Sequence, residues 1–187
     1  MNPSPPKRGS FRGEILQAAE WVVCQQGAGH LTLDAVAERA GVSKGGLLYH
    51  FPTKESLLKE LLSSLLERFD ADREVAGRSQ DCAGQKASDL KAFVKAGFQE
   101  TPDRRQVCAA LVAAGANDPR LLAPVREWHA SHFRELSEGK RHPLRVLLLM
   151  LAVDGLWFNE LLNTSAFSPE MKEALRGELF RFAESAL

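Results

Sequence analysis

The chain carries no excess of charge. In 187 residues, lysine plus arginine number 24 and aspartate plus glutamate number 24. That balance excludes a binder coated in positive potential, so any nucleic-acid contact must come from a local patch. Cysteines are scarce: Cys24, Cys82 and Cys108 are odd in number, and no two stand at Cys-x-x-Cys spacing. This argues against a disulfide framework and against a zinc site, and it fits a reducing cytoplasm. Long apolar runs are missing. The most apolar stretch, 146–153, is far shorter than the roughly 20 residues of a bilayer span, and Asp154 follows at once. The start, 1–13, is proline-rich and basic through Lys7, Arg8 and Arg12, without the apolar core of a signal peptide. The expectation is a soluble, cytoplasmic protein with no membrane partner. Alternating runs of valine, isoleucine and threonine are absent too, and with them the usual strand signal. Absent as well are Gly-x-Ser-x-Gly, the phosphate-cradling Gly-x-x-x-x-Gly-Lys and a metal-ligand set. No enzyme, no cofactor and no metal are expected.

What is present is enough apolar content, 44%, to build a core, with 26% charge. The length suits one ordinary domain or two small ones. The pattern is helical throughout. Ile15, Leu16, Ala19, Val22 and Val23 repeat at helical spacing over 11–26, which Gly27 and Gly29 stop. A second helix follows the capping Thr32 and ends at Ala40, with Leu33, Val36, Ala37 and Ala40 on its buried face. Gly41 and Val42 make a tight turn, and Ser43 caps a short third helix to His50. Pro52 and Thr53 break it and start a fourth, whose stripe runs from Leu57 to Phe69 and is broad enough to touch two neighbours. The stretch 76–88 reads as a loop and a composition boundary. Beyond it a helix is expected over 88–100. Thr101-Pro102, Asp118-Pro119 and Ser168-Pro169 each place a capping oxygen before a proline, which predicts helix starts at Pro102, Pro119 and Pro169. A further helix covers 143–162. The fold class is therefore all-α, with about nine helices.

Residues 33–54 have the layout of a helix-turn-helix. Ala37 is small where two helices must approach, Gly41 turns the chain, and Val36, Ala40, Val42 and Leu47 are apolar where the helices pack. The second helix of such a unit can enter a major groove with its first residues towards base edges. From Arg39 through Lys44 to Lys54 the window holds cations and no acid, with Glu38 and Glu55 as its brackets. A short basic surface of this kind suits phosphate contact, helped by the N–H donors that open a helix.

The string TLDAVAERAGVSKGGL at 32–47, followed by HFPTKE at 50–55, resembles the DNA-binding domain of the tetracycline-repressor (TetR) family. The resemblance covers 11–62. It implies that Thr32 caps the second helix and reaches a phosphate. It places Ser43, Lys44, Gly45 and Gly46 at the groove-facing start of the recognition helix. Lys44 would read a guanine edge or grip a phosphate, while Tyr49, His50 and Lys54 would contact the phosphate backbone. One departure stands out. Many members have tyrosine directly after the position of Leu47, where this chain has Leu48, with tyrosine one place later. Leu48 then either touches a thymine methyl or packs.

In the second region the helix 143–162 is apolar nearly all round, so burial on several sides is expected. With the stripe Met171, Leu175, Leu179 and Phe182 it suggests a twofold four-helix interface through Leu147, Leu151, Leu175 and Leu179, the homodimer that the resemblance implies for a palindromic operator. The resemblance also implies a small-molecule effector. Trp128, His132, Asp154, Trp157 and Phe158 are the candidate lining, being aromatic surface beside a few polar groups. His129 and His132 share a helix face, but no third metal ligand stands near them in sequence. Asp154 in an apolar helix needs a partner, which Arg126, an amide N–H or a cationic ligand could supply.

The resulting organisation is a flexible N-terminal arm at 1–10, a helix-turn-helix DNA-binding domain at 11–56 and a helical ligand-binding and dimerisation domain at 57–187. The fourth helix would pass an effector signal between them. The function expected is a homodimeric repressor of double-stranded DNA, released by a small molecule. The alternatives are a ligand-independent regulator and a helical interaction module that retains the fold.

Overall fold

The computed structural model describes residues 8–84, 86–99 and 102–187. Among these residues there are nine α-helices and no strand. They are α1 (Arg8–Gln26), α2 (Leu33–Ala40), α3 (Lys44–His50), α4 (Lys54–Gly77), α5 (Ser88–Gly97), α6 (Pro102–Asn117), α7 (Ala123–Ser137), α8 (Pro143–Leu161) and α9 (Pro169–Glu184). Two short 3-10 turns, Ala28–His30 and Pro119–Leu122, join α1 to α2 and α6 to α7. The first helix begins at Arg8 rather than at the expected residue 11, and the rest of the expected arm lies outside the described residues, as does the expected Thr101 cap. No described helix is long and apolar enough to cross a membrane.

The chain divides into two compact units. One is the chain up to Ser64 together with Pro102–Pro124; the other is Leu65–Thr101 with Val125–Leu187. Packing thus cuts across the boundary expected at residue 57, because α6 and the turn after it belong with the helix-turn-helix. In the first unit Ile15, Ala19 and Val22 of α1, Val36 and Ala37 of α2, Leu47 of α3 and Leu57 and Leu61 of α4 are buried. Burying each large aliphatic side chain contributes about 1.5–3 kcal/mol, so this stripe-on-stripe contact is what holds the short helices in place. The start of α4 is closed by a reciprocal cap. The Ser56 amide donates to Thr53 Oγ1 at 3.1 Å and the Thr53 amide donates to Ser56 Oγ at 3.2 Å.

Asp118 caps a 3-10 turn, not the α-helix its proline suggested. Its Oδ1 accepts from the Arg120 amide at 3.1 Å, and the next helix starts only at Ala123. The reason is Pro124, which has no N–H to return to the Arg120 carbonyl and so fits only the first turn of a new helix.

The second unit is built on Leu90, Phe93 and Val94 of α5, Leu136 of α7, Val146, Leu149, Met150 and Val153 of α8, and Leu179 and Ala183 of α9. Gly97 sits against Val153 so closely that a Cβ there would meet Val153 Cγ1 at 2.2 Å. The α5–α8 approach therefore requires glycine. Lys91, nearly buried, pairs with Glu184 at 2.6 Å and ties α5 to α9. Within the single chain the helix α8 is buried on one side only. Leu144, Leu147, Leu148, Leu151 and Phe158, with Leu162 just past its end, are exposed, as are Met171 and Leu175 of α9.

Candidate nucleic-acid interface

The helix-turn-helix is held by caps that the local sequence dictates. Thr32 is extended (φ −120°, ψ 156°), and its Oγ1 accepts from the Ala35 amide at 3.1 Å. Gly41 ends α2 in the left-handed region (φ 67°, ψ 26°). Its N–H reaches the Glu38 carbonyl at 3.1 Å, and the Val42 N–H reaches the Ala37 carbonyl at 3.0 Å. Ser43 then caps α3, accepting from the Gly46 amide at 3.0 Å. At the far end Phe51 is buried, and its N–H closes α3 on the Leu47 carbonyl at 2.8 Å.

These caps leave one face of α3 in solvent. Thr32, Ser43, Lys44, Gly45, Gly46 and Lys54 are exposed, Leu48 and His50 are half-buried, and Tyr49 is 74% exposed. The Tyr49 and His50 rings meet edge to face at 5.2 Å. Tyr49, His50 and Ser43 line an open cleft of about 320 Å³ whose floor includes Phe11 and Ile15. Leu47 is buried in the core, whereas Leu48 is half-buried and Tyr49 stands in solvent.

Two of the cations in the basic window are engaged. The Lys44 Nζ lies 2.8 Å from Asp34 Oδ1 and 3.1 Å from Asp34 Oδ2. The Arg39 guanidinium stacks 4.1 Å over the Trp21 ring. Sequence reasoning missed both pairings. The signal for the first was present: an acid in the first turn of α2 and a lysine opening α3, across a short turn. Glu55, in the first turn of α4, has its carboxyl held below the usual range by backbone N–H donation and by the Thr53 hydroxyl.

Residues 88–184 match the family model described as the tetracyclin repressor-like C-terminal domain, and residues 15–61 match that of bacterial regulatory proteins of the tetR family. The chain belongs to the TetR family. Its residues 15–61 are the part that matches the family's bacterial regulatory proteins. Over 59 residues it is 41% identical to the HTH-type transcriptional regulator TtgR of Pseudomonas putida, a match covering 32% of this chain and 28% of the relative. Over 58 residues it is 36% identical to the HTH-type transcriptional repressor KstR2 of Mycobacterium tuberculosis, covering 31% and 29%. The chain thus matches under a third of the length of these curated relatives. The solved structure of the multidrug binding protein EbrR complexed with ethidium is similar over 92% of this chain and 98% of that one, with 25% identity and a TM-score of 0.69.

In the second unit of this TetR-family chain the candidate effector residues fall into three groups. Trp128 stacks on His132 with ring centres 4.0 Å apart and meets Phe69 edge to face at 5.2 Å. Its Nε1 donates to Asp70 Oδ2 at 3.1 Å. His132 is buried, with Nε2 2.8 Å from Asp70 Oδ1 and Nδ1 2.9 Å from the Trp128 carbonyl. Both ring nitrogens face oxygen atoms, which fixes the ring between α4 and α7. Asp70 was not foreseen, since it lies on α4, far from both partners in sequence. The second group is Asp154. Its Oδ2 lies 3.7 Å from Nδ1 of His129, a neighbour that the sequence did not announce. Burial pushes the Asp154 carboxyl above its usual range, and His129 opposes the shift. Trp157 and half-exposed Phe158 form the third group, edge to face at 5.7 Å. Among the described residues no three or more His, Cys, Asp or Glu side chains gather as a metal site.

Of the candidate dimer residues, Leu147, Leu151 and Leu175 are exposed. Leu179 is a correction. It is 8% exposed and packs in its own unit's core, on the core-facing edge of the stripe it shares with Met171 and Leu175.

Proposed function

We propose that this chain is a homodimeric repressor that binds a palindromic operator through residues 11–56 and is released by a small molecule bound within residues 57–187. The observation that carries the DNA-binding part is the solvent-facing side of α3. Ser43, Lys44, Gly45 and Gly46 present an open, groove-sized start to the recognition helix, with Thr32, Leu48, Tyr49, His50 and Lys54 around it. Lys44 is the base-reading or phosphate-gripping side chain. Tyr49, His50, Lys54 and Thr32 hold the backbone. The repressor reading is supported by the printed function of KstR2, and a cytoplasmic location follows from this role.

The homodimer is supported by the apolar face that α8 and α9 leave in solvent, through Leu147, Leu151, Leu175 and their neighbours. A contiguous apolar face of this kind marks an interaction site. A twofold pair of recognition helices would match half-sites about one helical turn apart. The effector reading is supported by the ethidium complex of EbrR and by the aromatic and acidic groups around Trp128, His132, Asp154, Trp157 and Phe158. The helix α4 contributes residues to both compact units, so a ligand with different affinity for two settings of α4 would shift DNA affinity.

The test is binding of genomic fragments by the purified chain, at physiological salt with excess competitor DNA, alongside light scattering at micromolar concentration. Recovery of a palindromic site by a dimer is the expected result. A monomer, or binding indifferent to sequence, would refute the reading. Effector release is tested by reciprocity: the operator duplex must weaken ligand affinity by the same factor by which the ligand weakens DNA binding.

A further inference from the structure

The first turn of α3 is poor in side chains. Gly45 and Gly46 carry none, and a Cβ at Gly45 would meet nothing within 4 Å. Packing therefore does not demand glycine at that position. Lys44 is the one charged side chain at the groove-facing start, and both oxygens of Asp34 hold it. The pair is open to solvent, with 61% of the Lys44 side chain and 71% of the Asp34 side chain exposed. It thus faces the DNA side of α3 as a neutral unit rather than as a cation.

We propose that Asp34 is a specificity-determining residue of the DNA interface, one that makes Lys44 a reader of bases instead of a clamp on phosphate. The proposal rests on the DNA-binding reading above. A phosphate offers the ammonium an anionic acceptor much like the carboxylate it already has. Moving to it strips Asp34 of its partner and leaves a bare carboxylate among phosphates, so the exchange gains little. A guanine edge is different. Its O6 and N7 are neutral acceptors, and the ammonium has three N–H donors. Lys44 can keep a bond to Asp34 and direct a remaining N–H to the base. On non-specific DNA the pair stays closed and adds no counterion release. On a site with guanine at the right place it adds a hydrogen bond.

The experiment compares wild type, Asp34→Asn, Lys44→Met and the double variant. Two probes are used: a random-sequence duplex pool, and the duplex that wild type enriches from that pool. Affinity is measured across a salt series. Asp34→Asn is expected to tighten binding to the random pool about two- to fivefold, the range an exposed ion pair commands. It should steepen the salt slope by about one per recognition helix and reduce preference for the enriched duplex. In the Lys44→Met background the gain should vanish. Asp34→Ser, equally small and uncharged, should repeat the result, with melting curves confirming that each variant folds.

Unchanged affinity and slope for both Asp34 variants would overturn the proposal. So would the same gain with Lys44 absent, because Asp34 would then act through its own charge alone. A wild-type protein that enriches no sequence would overturn the DNA-binding reading itself, and this proposal with it.

Discussion

Replacing Gly97 with alanine tests the packing of the second unit at a tight point. The added Cβ would lie 2.2 Å from Val153 Cγ1 and 3.5 Å from Val153 Cβ. Ordinary carbon contacts begin near 3.4 Å, so the two helices must part by about 1.2 Å (3.4 − 2.2), or the valine must turn. Valine in a helix is locked at χ1 with one rotamer in about 90% of cases, so turning is not a cheap escape. Parting α5 from α8 would loosen Phe93, Val94, Leu149 and Met150, which fill the same core. Overpacking of this kind costs about 1–3 kcal/mol. The helix-propensity gain of alanine over glycine, at most about 1 kcal/mol and less at a helix end, offsets only part of it. The assay is urea unfolding at fixed protein concentration, followed by tryptophan fluorescence, since Trp128 and Trp157 both report on this unit. In the Val153→Ala background, where the clashing methyl is gone, Gly97→Ala should cost far less. A Gly97→Ala protein as stable as wild type would refute the close-approach argument.

Three further predictions follow from individual groups. Gly41→Ala places a Cβ where nothing stands within 4 Å, so its cost comes from the left-handed backbone alone, about 1–2 kcal/mol in urea unfolding; Gly41→Asn should cost less, and equal losses would point to another cause. The raised pKa of Asp154 means that the folded chain binds this proton more tightly than the unfolded chain. Its stabilising share is then full below the unfolded carboxylate range and is lost as pH rises through the folded pKa. Asp154→Asn should accordingly raise the melting temperature at neutral pH, by a margin that shrinks as the pH falls into the acid range; a lower melting temperature at neutral pH would contradict the burial argument. Leu179→Ala, a core truncation, should cost about 2–5 kcal/mol, whereas Leu151→Ala, 56% exposed, should leave the unit's own packing intact and shift the monomer–dimer balance in light scattering.

The helix-turn-helix was legible because its determinants are local. Thr32, Gly41, Ser43 and the Thr53–Ser56 pair each act within three or four residues, and each is a residue type chosen for one backbone task. The order of helices was legible for the same reason, and the TetR resemblance rested on that string. What failed was long-range or depended on direction. Asp70 joins Trp128 and His132 across 58 and 62 positions, and no local pattern announces such a contact. Helical spacing placed Leu175 and Leu179 on one stripe, but a stripe does not say which of its edges meets the core. Asp118-Pro119 carried a sound capping signal, yet Pro124 a few residues later made the turn 3-10. The α6 segment joined the first unit because of the surfaces it covers there, a matter of tertiary packing that composition does not encode.

The central claim is that the exposed start of α3 and the first residue of α4 hold DNA through Lys44 and Lys54. The most direct measurement is the salt dependence of binding to a wild-type-enriched duplex, for wild type and for the Lys44→Met and Lys54→Met variants. The account predicts weaker binding for both variants. Lys54→Met should lower the salt slope by about one per lost phosphate contact, and Lys44→Met should lose more preference for the enriched site than slope. Affinities and slopes identical to wild type for both variants would contradict it.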